Sequence, residues 1–401
     1  MSGPVPPGPV ESVLRELAPL VLGDIGRRYG DFAAADDAVQ EAMIDAAEQW
    51  PASGMPANPR GWLVRVASRR LTEIWRSDTA RHRREQVVAG ESAPAGSEED
   101  TLLVYLLCCH PSLTQTSQVA LTLRAVGGLS TAEIGTALLV PESTVAQRIS
   151  RAKKSIRAAG GRFEPPPATE LPGRIATVLQ VLYLTFNEGY SASSGQSLLR
   201  ADLSNEAIRL ARQLHALRPA DGEIAGLLAL MLLTDARRPA RVRADGALVP
   251  LDEQDRDLWR RDLIDEGSAI IEKALGTAVV GPFQLQAAIA AVHDEAASTE
   301  VTDWRQILGL YELLLVAAPG PVAMLGRVVA FAMVHGPEKG LLELDLTASQ
   351  PSLAGSYRVD ACRGRLLDLA GDRSGAREAY AAAARRATNL PEQRHLESKS
   401  R

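Results

Sequence analysis

Apolar positions recur along most of the chain every three or four residues, the spacing of a helix with one buried face. Leu14, Leu17 and Val21 form one stripe, and Ala38, Val39, Ala42, Met43 and Ala46 form a second after a break at Gly30-Asp31. Asn58-Pro59 opens a third helix, which carries Trp62, Leu63, Val66 and Ile74. The pattern lapses over 85–100, where Glu91, Pro94, Gly96, Ser97, Glu98, Glu99 and Asp100 predict a flexible acidic linker. It returns from Leu102 to about Ala159, lapses again over 161–172 around Pro165-Pro166-Pro167, and continues to about Leu396. In that last stretch Ile208, Ala211, Leu214 and Leu217 share a face, and segments 322–334 and 358–369 behave alike. Gly371-Asp372-Arg373 followed by Ala376, Ala379, Tyr380, Ala383 and Ala384 reads as one helix-turn-helix repeat of the tetratricopeptide sort. No clean period of about 34 residues runs through the extension, so its repeats are degenerate. Only Asp245-Gly246, between Val242 and Leu248-Val249, suggests a hairpin, and Pro250 weakens that reading. The expectation is an all-α chain.

A chain of 401 residues exceeds what one hydrophobic core usually serves, so two or three domains are expected. With 46% hydrophobic residues but only 4% aromatics, the composition supplies cores and favours helix over strand. The net charge of −5 opposes nucleic-acid binding only if the basic residues are evenly spread. Cys108, Cys109 and Cys362 are an odd number with two adjacent, which fits a reducing compartment better than a disulfide framework. Met1 to Val10 has neither the basic patch nor the apolar run of a signal peptide. The longest strongly apolar stretch, Gly226 to Leu233, is far too short to span a bilayer. A soluble cytoplasmic protein without a membrane partner is expected.

The basic residues are clustered. Ser130 and Glu133 have the spacing of a capping box, so a helix should start at Thr131 and run through Ile134 and Leu138. Leu139-Val140 then turns, Pro141 suits a first helical position, and Glu142 suits the positive helix start. Beyond it Val145, Ile149, Ala152 and Ile156 mark a core face, while Thr144, Gln147, Arg148, Arg151 and Lys154 fall on the other side. Hydroxyl, amide and guanidinium groups are the types that meet base edges and phosphates in a major groove. Ser143 to Arg157 contains no acid, which supplies the phosphate attraction that the net charge conceals. The competing reading is an ordinary helical hairpin with a solvated basic face.

Arg60 to Arg84 is a second basic cluster, with only Glu73 and Asp78 as acids. Arg65, Arg69 and Arg76 share a helix face, interleaved with Trp62 and Trp75. Arginine with aromatics suits single-stranded DNA, whose bases stack on rings. The alternative is that the tryptophans are core and the arginines solvated. Ahead of this helix, Asp36-Asp37-Ala38-Val39-Gln40-Glu41 offers acids and an amide beside an apolar flank, a surface that could meet a basic helix of another protein.

These segments, with Arg60-Gly61-Trp62-Leu63-Val64-Arg65-Val66-Ala67, Ser130-Thr131-Ala132-Glu133-Ile134 and Ser143 to Lys153, resemble in order and spacing domains 2 and 4 of extracytoplasmic-function sigma factors. Cys108-Cys109-His110-Pro111, Phe186-Asn187-Glu188-Gly189-Tyr190, Leu228 to Leu233, Asp235 to Arg241 and Gln254-Asp255-Arg256 resemble the subgroup with a C-terminal tetratricopeptide-like domain. The resemblance implies a sigma domain 2 over 8–84, the linker 85–100, a helix-turn-helix domain 4 over 101–160, a Pro-rich linker 161–172 and a regulatory helical domain over 173–398. It implies a sigma factor that binds core RNA polymerase, through the β′ clamp helices and the β subunit, and directs initiation at promoter DNA. Asp37, Gln40, Glu41 and Ile44 would grip polymerase. Trp62, Arg65, Arg69, Glu73, Trp75 and Arg76 would recognise and open the −10 element. Ser143, Thr144, Gln147, Arg148, Arg151 and Lys154 would read the −35 element. Relatives usually carry Asn and Asp where this chain has Arg69 and Glu73, so the −10 base preference does not carry over. The resemblance also implies control by the chain's own extension rather than by a membrane anti-sigma factor.

Three other readings remain. An enzyme in the extension would draw on Asn187, Glu188, Asp252, Asp255, His293 and Asp294, but no nucleophile motif, phosphate loop or metal spacing accompanies them. Cys108-Cys109-His110 lacks C-x-x-C geometry and is expected to be buried, so no metal and no cofactor are assigned. A binding module is the reading preferred for the extension, taking a peptide, protein or small effector in a superhelical groove and switching the sigma domains. A plain repressor or activator would have no use for the Trp/Arg cluster.

Overall fold

The computed structural model describes residues 9–78, 98–138, 140–160, 163–191, 199–243, 247–387 and 389–401. Their regular structure is helical, without a strand. An isolated antiparallel bridge joins Val242 to Leu248, where the sequence suggests a hairpin, and Asp245-Gly246 lies outside the described residues. The chain forms two compact units, 1–185 and 186–401.

The first unit begins with α1 (Pro9–Tyr29), α2 (Phe32–Ser53) and α3 (Pro59–Asp78), which pack on one another. Gly30 turns the chain with φ 74°, and the Asp31 side chain then caps α2 by accepting from the Ala34 N–H at 3.0 Å. The Asn58 side chain accepts from the Gly61 N–H at 2.8 Å and fixes the start of α3. The second bundle is α4 (Glu98–Cys108), α5 (Gln115–Ala125), α6 (Thr131–Leu138) and α7 (Glu142–Ala158). Of the acidic stretch 85–100, residues 98–100 form the first turn of α4, where Asp100 is buried and ion-paired with Arg27; the remainder lies outside the described residues. Ser130 and Glu133 exchange the two hydrogen bonds of a capping box, at 3.1 and 2.7 Å. Pro141 stands one residue before α7, as its N-cap, and not inside the helix; its extended ψ of 142° makes the turn. Leu139 lies outside the described residues.

α8 (Leu171–Tyr190) crosses the boundary at 185. The second unit continues with α9 (Ala201–Leu217), α10 (Gly222–Ala236), α11 (Arg261–Thr277), α12 (Pro282–Glu295), α13 (Trp304–Ala317), α14 (Pro321–His335), α15 (Pro337–Ala348), α16 (Tyr357–Leu369), α17 (Arg373–Arg386) and α18 (Leu390–Lys399). From α13 onward each helix packs mainly on its neighbours in sequence, as in a repeat array, whereas α12 packs chiefly on α10. α10, the most apolar segment, is buried on nearly all sides. Its Gly226 lets α12 come so close that a Cβ there would stand 2.5 Å from the Gln284 backbone nitrogen. The α16–α17 hairpin buries Ala376, Ala379, Tyr380, Ala383 and Ala384, the repeat read from the sequence. Among the described residues no helix is long and apolar enough to cross a membrane.

Candidate functional site

α7 is divided lengthwise. Val145, Ile149, Ala152 and Ile156 are buried against the second bundle. Ser143, Gln147, Arg151 and Lys154 are exposed, with Thr144 and Arg148 half-buried beside them. The structure therefore brings the six expected base-reading side chains onto one solvent-facing side of a single rigid helix. Glu142 accepts from the Thr131 hydroxyl at 2.7 Å, which ties the start of α7 to α6 and fixes the angle between them.

On the first bundle, Arg65 is exposed and Arg69, 82% exposed, pairs with Glu73 at 3.0 Å. Trp62 is half-buried, standing edge-on to the buried Trp50 at 5.5 Å. Sequence reasoning passed over Trp50, although it continues the Ala38–Ala42–Ala46 stripe at the next helical step. The side chains of Trp75 and Arg76 lie outside the described residues. Arg60 and Arg70 are taken up internally, by Asp24 at 2.9 Å and Asp45 at 2.9 Å. On α2, Asp37, Glu41 and Ile44 are exposed at helical spacing, and Ile44 at 53% is a large apolar side chain facing water. Gln40 is not part of that stripe. It is buried and donates to the Arg124 carbonyl of the second bundle at 3.3 Å.

Gln40 is one of several contacts by which the second bundle sits against the first. Lys153, on the flank of α7, forms ion pairs with Asp36 and, at 2.6 Å, with Asp37. Asp36 is fully buried, the Lys153 side chain is 12% exposed, and neither Asp36 oxygen has another hydrogen-bond donor. Burial pushes the Lys153 pKa down, but the two aspartates outweigh it and the net shift is upward. Arg157 reaches Asp31 at 3.2 Å, and Arg15 of α1 reaches Glu133 at 2.7 Å. Each of these two acids also keeps a bond within its own bundle, Asp31 to the α2 start and Glu133 to Ser130. After α7 the chain returns to α1, where the Phe163 ring covers Gly26; a Cβ there would be 2.4 Å from it. In the sequence Lys153 and Arg157 read only as phosphate attraction.

Cys108 and Cys109 are buried free thiols, raised by burial, Cys109 to about 12. Among the described residues no three His, Cys, Asp or Glu side chains are grouped to hold a metal. Of the four acids considered for an enzyme, three are drawn into separate ion pairs, Glu188 with Arg200, Asp252 with Arg365 and Asp294 with Arg237, and Asp255 accepts from the Asp257 N–H at 3.0 Å.

The chain matches three family models: Sigma-70 region 2 over residues 13–81, Sigma-70 region 4 over 103–156, and a family of unknown function (DUF6596) over 174–275. An uncharacterized protein of Rhizobium meliloti (strain 1021) is 39% identical over 97% of this chain and 94% of its own length. A solved structure of a human IFIT1 dimer with PPP-AAAA aligns over 96% of this chain and 84% of that one, at 14% identity and a TM-score of 0.36, a likeness that assigns nothing.

Proposed function

The chain belongs to the sigma-70 family of RNA polymerase sigma factors, in the extracytoplasmic-function-like type with an added C-terminal domain, and directs promoter-specific initiation; on that premise we propose how its surfaces divide the work. Asp37, Glu41 and Ile44 make the first contact with the β′ clamp helices of core polymerase. Gln40 joins them once the second bundle has moved off α2. Trp62, Arg65, Arg69, Glu73, Trp75 and Arg76 hold the opened −10 strand, and Ser143, Thr144, Gln147, Arg148, Arg151 and Lys154 read the −35 element. The observation that carries this reading is the two-sided α7, core on one face and hydroxyl, amide and guanidinium groups on the other.

Both elements cannot be engaged while α7 rests on α2. The two elements, about 25 base pairs apart by name, lie about 85 Å apart along B-DNA. Residues 79–97 reach about 65 Å when fully extended, so the connection allows the bundles to separate on that scale once their own dimensions are added. Two weak modules held at fixed spacing by polymerase specify a promoter that neither specifies alone. The free protein accordingly binds promoter DNA weakly, and the holoenzyme binds it tightly. The family consists of non-enzymatic regulators, and strand opening here needs only capture of unpaired bases. The protein would act in the cytoplasm, beside polymerase and chromosome. Unit 186–401 would modulate the two sigma modules by binding an effector.

Reconstitution with core polymerase and run-off transcription from the gene's own upstream region tests the assignment. Failure to associate with core, or association without start-site selection, overturns it. Truncation at about residue 165 tests the modulatory role: constitutive activity means inhibition by the extension, lost activity means a positive role, and unchanged activity removes the role.

A further inference from the structure

The second unit contains a cavity of about 520 Å³ that none of the surfaces above uses. Small-molecule sites typically measure roughly 300–1,000 Å³. Trp304 and Tyr311 of α13, Met333 of α14, Tyr357 of α16, Tyr380 of α17 and Leu396 of α18 give it a largely aromatic and aliphatic wall. The wall is already built. Gly326 leaves room for the Tyr311 ring, which a Cβ would meet at 2.4 Å, and Trp304 is fixed edge-on to His293 at 5.2 Å.

The charged groups reaching the cavity do not cancel. Arg256, Arg358, Arg365 and Lys399 outnumber the acids Asp252, Glu253 and Glu392: Asp252 pairs with Arg365 and Glu253 with Lys399 at 2.6 Å, while Glu392 accepts from the neutral Tyr357 hydroxyl at 2.5 Å and keeps its charge. Two lining cations, Arg256 and Arg358, have no carboxylate within ion-pair distance among the described residues. Arg358 is exposed, on the ring of Tyr357. Arg256 is half-buried, lies 4.7 Å from the centre of the Trp259 ring, and donates to the carbonyls of His293 and Ala296. Asp294, bound to Arg237, and Glu300 act on Arg256 only at longer range. Burial, then Arg237 and Arg256, hold the neighbouring His293 neutral, its pKa lowered to about 3. The lining of an apolar cavity therefore includes a positioned guanidinium with no carboxylate at ion-pair distance among the described residues, its Nη1 donating to two carbonyls and its Nε–Nη2 edge left to meet a ligand. A carboxylate is the group whose shape and charge such a fork takes best.

We propose that this cavity binds a small amphipathic monoanion, an aromatic or aliphatic carboxylic acid with its carboxylate against Arg256 and its apolar body against Tyr311, Met333 and Tyr380. The proposal goes beyond the sigma reading and does not depend on it, because binding is measured without polymerase or DNA.

The test uses the full chain and a matched pair of fluorescent probes, 1-anilinonaphthalene-8-sulfonate and N-phenyl-1-naphthylamine, which share one body and differ by the anion. The sulfonate should fill one saturable site per chain, about tenfold or more tighter than the neutral probe at low salt, the discrimination expected of one charge-assisted contact. 1-Naphthylacetate should displace it. Arg256→Met should bring the two probes to similar affinity, and Met333→Trp or Ala361→Trp, with helicity retained by circular dichroism, should abolish binding of both. The proposal is overturned by unsaturable binding, by equal affinity for the two probes in the unaltered protein, by failure of naphthylacetate to compete, or by binding that survives both tryptophan substitutions. The probe comparison and the competition need no variant, so misfolding of a substituted chain leaves the proposal testable.

Discussion

Replacing Lys153 by Met keeps most of the side chain's volume and removes the ammonium. In the closed arrangement this leaves the Asp36 carboxylate fully buried with no donor. Stranding one member of a buried pair costs about 3–5 kcal/mol. Once the bundles separate, water takes the ammonium's place, so the penalty falls on the closed state alone. A bias of that size moves the closed–open equilibrium by a factor of roughly 10² to 10³ or more. Amide hydrogen exchange of the full chain should show lost protection in the N-terminal half of α2 and along the flank of α7, and small-angle scattering should show a larger radius of gyration. Capture of core polymerase should be unchanged or tighter, since affinity scales with the population of the competent form. Adding Asp36→Asn should restore much of the protection, because an amide is far cheaper to bury than a lone carboxylate. The sign with pH follows from the raised Lys153 pKa. The contribution is fully present below the ordinary lysine value of about 10.4 and is lost only as pH rises through the raised one, so it is flat near neutrality. Unchanged exchange in Lys153→Met, or polymerase capture weakened as strongly as by a change at Asp37, would refute the reasoning.

Arg148→Ala should weaken discrimination of the −35 element by about 1–3 kcal/mol in competition binding by the holoenzyme, with capture of core polymerase within about twofold, a margin under 0.5 kcal/mol. Gly226→Ala should destabilise the second unit by about 1–3 kcal/mol, because the backbone of Gln284 cannot give way; urea unfolding measures it, and a loss under about 0.5 kcal/mol would contradict the close approach. His293 is neutral when folded, with its pKa at about 3, and takes up a proton when unfolded below the usual value. Stability should thus be unaffected above about pH 6.5 and fall as pH drops towards 3, by up to about 1.4 kcal/mol per pH unit. Between pH 7 and 5 His293→Leu should lose up to about 2 kcal/mol less than the unaltered chain, and parallel pH dependences would remove the assignment.

The parts of this protein that rest on local pattern could be read from residues alone. The Ser130–Glu133 cap, the Gly30-Asp31 break and the two faces of α7 all follow from spacing within one or two turns. By residue type alone, Gln40 is an amide in an acidic run and Lys153 a lysine in a basic one. Their register held more. Asp36, Gln40 and Met43 share a stripe, and Lys153 stands one turn after Ile149, so polar groups on two apolar stripes signalled buried partners. Which partners they were depends on a pairing of residues 117 positions apart, and no local rule reaches that far. The cavity of the second unit was illegible for the same reason, since its wall is assembled from residues spread between Leu248 and Lys399.

Asp31 and Glu133 each serve two masters, holding a helix start in their own bundle and an arginine of the other. When the arginines leave, both acids go on capping. Departure should therefore proceed as rigid bodies drifting apart with no melting of either, and far-ultraviolet spectra will be blind to it. On the proposed reading α7 would arrive at its duplex already formed, with no folding delay added to the search.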